Sequence, residues 1–171
     1  FVAEVTSQDK AMAGYLQRLC GYCLTGDASE ENLTFLHGPG GNGKSKFLGV
    51  LAGILGSYAR AAAAETFTAG VGSRHSSELA RLAGVRLVTT SETEQGKAWA
   101  ESRIKQMTGR DTITACFKYK DEFDYRPKFK LVIIGNHKPK IKHVDDGIRR
   151  RIHLVPFMFL PKVKDPRLDE K

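Results

Sequence analysis

The chain has 171 residues and a mass of 18.9 kDa, with 41% hydrophobic and 27% charged residues. That is one domain's worth of chain, able to bury roughly two thirds of its unfolded surface without disulfides, and it excludes the collagen-like, disordered and disulfide-scaffold classes. The net charge of +8 is uneven: residues 1–103 balance at 10 basic and 10 acidic side chains, whereas residues 104–171 hold 17 basic and 9 acidic, which suggests a polyanionic partner for the C-terminal part.

No apolar run approaches the ~20 residues of a membrane-spanning helix. The chain begins at Phe1 with no signal-peptide pattern, so it is expected to be a segment of a longer protein. Three cysteines make no disulfide framework, and Cys20 and Cys23 lie in a helical pattern beside Tyr15, Leu16 and Leu19, which predicts core packing rather than a zinc site. A reducing compartment fits this usage.

In chain order, residues 9–24 read as an amphipathic helix entered through Ser7 or Asp9 and ended by Gly26 and Asp27. Leu33–His37 is a short apolar run with the length of a buried strand. A helix follows, in which Phe47, Leu48, Leu51, Ile54, Leu55 and Tyr58 recur at helical spacing. The pattern then predicts a helix over 76–83, a strand over 85–90 and a helix over about 97–108. Residues 112–130 alternate apolar and charged residues, as in a β-hairpin with a basic tip, with Lys118, Lys120, Lys128 and Lys130 as its cations. Residues 130–136 and 152–157 are two more buried strands. Helices alternating with strands that are apolar on both faces predict a parallel sheet covered on both sides. Residues 1–30 read as an N-terminal helical segment and 31–171 as the core.

Between the first strand and the next helix stands Gly38-Pro39-Gly40-Gly41-Asn42-Gly43-Lys44-Ser45, which fits the phosphate-binding loop GxxxxGK[ST]. The glycines let successive N–H groups point at phosphate oxygens, and the following helix adds its positive end. Lys44 is expected to reach the β- and γ-phosphates of ATP and Ser45 to hold Mg²⁺, with Lys46 completing the nucleotide-binding stretch. Such a site needs acid at the end of a second strand. Glu92 and Glu94 follow the strand over 85–90 and supply it, Glu92 being favoured as the Mg²⁺ partner. Asn136 ends the third long strand, where an amide can sense the γ-phosphate or act as a turn residue. Arg149, Arg150 and Arg151 precede the last strand, either as a solvated face or as the source of an arginine finger.

On these residues the chain resembles the superfamily-3 helicase domain of phage, plasmid and poxvirus-type primase–helicases. The resemblance rests on YLQRLCGYCLTG, HGPGGNGKS, RLVTTSETEQGK, the segment from IKQMTGRDTI to IGNHKP, and DDGIRRRIHLVPF, in the family's order and spacing. It implies an AAA+-like P-loop NTPase of α/β class with a central, mostly parallel sheet and a β-hairpin insertion. It also implies an ATP-hydrolysing ring, usually a homohexamer, that moves on single-stranded or forked DNA, with a primase module elsewhere in the full protein. ATP then lies between subunits. Lys44, Ser45, Glu92, Glu94 and Asn136 come from one protomer and Arg150 or Arg151 from the next. Lys118, Tyr119 and Lys120 occupy the hairpin segment that grips DNA. The setting is the cytoplasm of a bacterial or virus-infected cell, or a eukaryotic host's nucleus. The competing reading is an ATP-switched loader that binds DNA without unwinding it.

Overall fold

The computed structural model describes residues 1–67, 74–91, 99–137, 145–162 and 165. Its centre is a five-stranded sheet whose paired strands all run parallel. In chain order the strands are β1 (Leu33–His37), β2 (Ala59–Ala61), β3 (Leu87–Ser91), then a separate antiparallel pair β4 (Ile113–Cys116) and β5 (Glu122–Tyr125), then β6 (Lys130–Gly135) and β7 (Ile152–Pro156). The spatial order in the sheet is β2-β3-β6-β1-β7, so the strand carrying the glycine loop lies between β6 and β7. The inserted hairpin β4–β5 interrupts the crossover from β3 to β6. This is the α/β architecture expected, with the insertion in its expected place.

Successive side chains of a strand point to opposite faces, and both faces here are apolar. Leu33 and Phe35 of β1, Val88 of β3, and Leu131 and Ile133 of β6 face one core, with Leu79 and Ala80 of α4 (Arg74–Ala80) and Ile104 and Met107 of α5 (Glu101–Thr108). Leu36, Leu87, Val132 and Val155 face the other core, with Leu16, Leu19 and Cys23 of α2 (Lys10–Leu24) and Phe47, Leu48, Leu51 and Leu55 of α3 (Lys44–Leu55). The N-terminal helix is therefore part of the same core as the glycine-loop helix. Asp9 caps α2 by accepting from the N–H groups of Ala11 and Met12, as its sequence pattern predicts. Cys23 is fully buried in this core, and desolvation pushes its thiol up to about 12.

Three sequence expectations change. The helix after the loop stops at Leu55, because Gly56 takes φ +53°, so Tyr58 lies in a following 3-10 turn and Ile54 stands 69% exposed. A fifth strand, β2, forms from Ala59-Arg60-Ala61 at the sheet edge. Lys130 is not on the basic hairpin tip. It starts β6, is buried, and donates to the carbonyl oxygen of Thr25 at 2.6 Å beneath the ring of Tyr22.

Candidate nucleotide site

Parallel pairing places the C-terminal ends of the strands on one edge, where α/β sheets bind ligands. His37 is level with Gly135 of β6 and Pro156 of β7, and Ser91 of β3 is level with Ile134. The loop 38–43, Asn136 and Ser91 therefore share that edge. Glu92 and Glu94 lie outside the described residues. Asn136 is exposed one residue beyond β6, the strand between β1 and β3.

The loop is built from conformations only glycine takes cheaply: φ is +144° at Gly38, +79° at Gly41 and +89° at Gly43. A Cβ on Gly38 would overlap the carbonyl oxygen of Phe157, the residue after β7. One on Gly43 would come within 2.9 Å of Val5 and 3.1 Å of the Phe1 ring. Gly43 starts α3 with no side-chain cap, unlike Asp9 on α2, so the first-turn N–H groups of α3 are left for an acceptor from outside the helix.

Lys44 is buried, with its ammonium donating to Gly38 O at 2.6 Å, Pro39 O at 3.1 Å and Asn42 Oδ1 at 2.9 Å. Desolvation lowers its pKa. Asn42 is also buried, and its amide nitrogen donates to Phe157 O. An amide side chain can accept from an ammonium through its oxygen while donating to a carbonyl through its nitrogen. Asn42 stands at a free position of the GxxxxGK[ST] pattern, and its second partner is 115 residues away and invisible in sequence. Ser45, in the first turn of α3, is exposed beside the loop. A triphosphate fits this set: glycine-shaped backbone donors, one ammonium and one hydroxyl for a hard cation.

The arginines lie at the other edge. They end α6 (Asp146–Arg149) and lead into β7, whose first residue pairs with Leu33 at the start of β1. Five residues of strand separate that level from the loop, roughly 17 Å. Arg151 is only 11% exposed in its side chain and is pinned: it donates to Gly147 O at 2.8 Å and to Glu31 Oε2 at 3.0 Å. Arg150 has a side chain 70% exposed, with its guanidinium 4.0 Å from the same Glu31 oxygen. Arg149 is exposed. No sequence signal singled out Glu31.

On the hairpin, Phe123 and Tyr125 turn inward, and the Tyr125 hydroxyl donates to Leu79 O. The turn carries Phe117, Lys118, Tyr119 and Lys120, all exposed. Tyr119 reaches 93% exposure at φ +64°, with the Lys118 ammonium 5.0 Å from its ring centre. Two cations and an uncovered aromatic at one tip suit phosphate contact and base stacking.

A parallel sheet in this order, with its glycine loop opening the helix after β1 and a hairpin inserted before β6, is the α/β arrangement that the resemblance to superfamily-3 helicase domains implies. The chain belongs to a family of unknown function, DUF5906, whose model matches residues 36–151. It is 36% identical over 152 residues to the inferred helicase L207/L206 of Acanthamoeba polyphaga mimivirus, covering 88% of this chain and 16% of that protein. It is 30% identical over 155 residues to the inferred helicase 022R of Frog virus 3 (isolate Goorha), covering 87% of this chain and again 16% of the relative. The chain thus spans 16% of the length of either viral relative. Two apo structures of the NrS-1 C-terminal region superpose on 99% of this chain and 40% of theirs, with TM-scores of 0.76 and 0.75 at 12% and 13% identity. Among the described residues, no helix is long and apolar enough to cross a membrane.

Proposed function

We propose that this chain is the ATP-hydrolysing motor core of a viral-type replication helicase that translocates on single-stranded DNA as a ring. The observation that carries the reading is Lys44: a buried ammonium, held inside a loop of left-handed glycines at the uncapped head of α3. Burying a cation is costly unless a counter-charge or a set of acceptors is supplied. Here the acceptors are two loop carbonyls and Asn42, which a triphosphate can replace while adding negative charge.

In this reading Lys44 moves from those acceptors onto the β- and γ-phosphate oxygens, while N–H groups of residues 40–46 cradle the phosphates. The Ser45 hydroxyl and Glu92 would hold Mg²⁺, which would supply charge neutralisation at the phosphates. Glu94 and Asn136 orient the attacking water. Arg150 stabilises charge on the transferring phosphoryl group of the neighbouring protomer. The helicase names of the two viral relatives support the assignment, and the cationic hairpin tip supports a DNA partner.

The test is Mg²⁺-dependent ATP hydrolysis and strand displacement by the full-length protein. Lys44→Ala is expected to reduce both to background without lowering the melting temperature. Hydrolysis at the wild-type rate in that variant rejects the nucleotide site. DNA-stimulated hydrolysis without strand displacement in the wild type replaces the motor by an ATP-switched loader.

A further inference from the structure

The arginine pair is sorted by one carboxylate. Glu31 sits in the turn before β1 with φ +48°, a left-handed backbone conformation that side chains other than those of Gly, Asn and Asp seldom occupy. Its Oε2 accepts from Arg151 Nη2 at 3.0 Å and lies 4.0 Å from Arg150 Nη2. Arg151 is also fixed through its backbone: its N–H donates to Ile148 O and its carbonyl accepts from Leu33 N. Among the described residues, Arg150 has its backbone N–H tied to Asp146 O, and its side chain is 70% exposed. One arginine is built into the fold and the adjacent one is presented.

We propose that Glu31 is a positioning residue for the arginine finger: it anchors Arg151 and tethers Arg150 in the direction of a neighbouring protomer. The inference rests on the shared-site reading above. Geometry excludes action on the chain's own nucleotide, because Glu31 and Arg150 lie at the start of β1 and β7 while the glycine loop lies at their far end. A tether is needed because an arginine side chain that is 70% exposed samples many rotamers, and ordering it at the moment of reaction costs entropy. A carboxylate at 4.0 Å restricts it without the close bidentate bond that would keep it from a phosphate.

The experiment uses Glu31→Gln in the full-length protein, because the amide still accepts from Arg151 while losing the charge that holds Arg150. The expected result is nucleotide affinity within about twofold of wild type and turnover lower by about 10- to 100-fold, the loss typical of a misplaced catalytic group. Mixing this variant with Lys44→Ala subunits should restore hydrolysis. The Lys44→Ala subunit presents an intact Glu31 and Arg150 to a neighbour whose loop is intact. A support role within the same subunit would show no such recovery. Wild-type turnover in Glu31→Gln overturns the proposal. So does a loss that Lys44→Ala subunits fail to repair while an Arg150→Ala and Lys44→Ala mixture does recover. If that control mixture also fails under demonstrated subunit exchange, the shared-site reading falls and the role of Glu31 falls with it.

Discussion

The two edges of the central sheet handle positive charge in opposite ways. At the N-terminal edge, three cations are spent on the fold, while Arg149 and Arg150 stay exposed. Lys130 donates to the Thr25 carbonyl at the end of α2, Arg86 to Leu24 O at 2.6 Å, and Arg151 to Gly147 O and the Glu31 carboxylate. Their partners come from segments 62 to 120 residues away, or from the turn that aims them into β7. At the C-terminal edge, the partners of Lys44 among the described residues belong to its own loop: Gly38, Pro39 and Asn42. A cation with distant structural partners holds the molecule together. A cation whose partners are its own loop carbonyls can exchange them for a ligand without unfolding anything. The excess charge of residues 104–171 is therefore not all available to a polyanion, since it includes Lys130 and Arg151.

The largest test of this contrast falls on the backbone-built edge. Gly38→Ala forces a side chain onto φ +144° and against the Phe157 carbonyl, whose position is fixed by Phe157 N donating to His37 O at 2.7 Å and by the ring packed on Phe47. Strain and overpacking together should cost about 3–5 kcal/mol, read as a shifted urea midpoint, and nucleotide binding should be lost. A variant that melts like wild type would show that the loop is free to relax and that its glycines are not fixed by β7. On the other edge the test is a pair. Arg151→Ala leaves a half-buried Glu31 without its main partner and should cost about 2–3 kcal/mol, discounted because Glu31 is about a third exposed. Arg150→Ala should stay within about 0.5 kcal/mol of wild type. Equal stability losses in the two variants would contradict the division into an anchored and a presented arginine.

What the sequence revealed follows the same division. β1 and the glycine loop are legible because the signal is local: a five-residue run carrying Leu33, Phe35 and Leu36, then an eight-residue pattern, then a helix. The helix end was overrun because Ile54 and Tyr58 fall at helical spacing, although one is solvent-facing and the other lies past Gly56. β2 carries no β-branched or aromatic residue, and Ala59 and Ala61 take strand geometry only because β3 offers them a ladder. The inward turn of Phe123 and Tyr125 follows from the period of two. The Arg151–Glu31 pair spans 120 residues and has no local pattern at all, so an arginine run reads the same whether its members are buried or free.

The hairpin tip tests whether charge that is not spent on the fold binds a polyanion. Lys118→Ala combined with Lys120→Ala should weaken single-strand binding and flatten the dependence of log K on log salt by roughly 0.7 for each phosphate no longer neutralised. Stability should stay within about 0.5 kcal/mol of wild type, since both side chains are exposed. Basal ATP hydrolysis should survive. An unchanged salt slope would move the DNA-binding surface elsewhere on the molecule.

The smallest expected effect concerns what holds the arginine segment in place. Asp145 caps α6 by accepting from Ile148 N at 2.8 Å, and its other oxygen accepts from the Lys105 ammonium of α5. The Lys105 hydrogen bond, helped by the Ile148 N–H, holds the Asp145 carboxyl below its ordinary value of 3.8. A carboxyl lowered in the folded state contributes stability above its unfolded value, and that contribution is lost as pH falls through the folded value. Asp145→Asn keeps an oxygen for the cap but removes the charge. The stability difference between wild type and this variant should therefore be small and constant from neutral pH down toward 3.8, then shrink as the wild-type carboxyl takes up its proton. Denaturant midpoints measured across that range decide it. A difference that does not change with pH would assign Asp145 to capping alone, and α6 would owe nothing to its ion pair with α5.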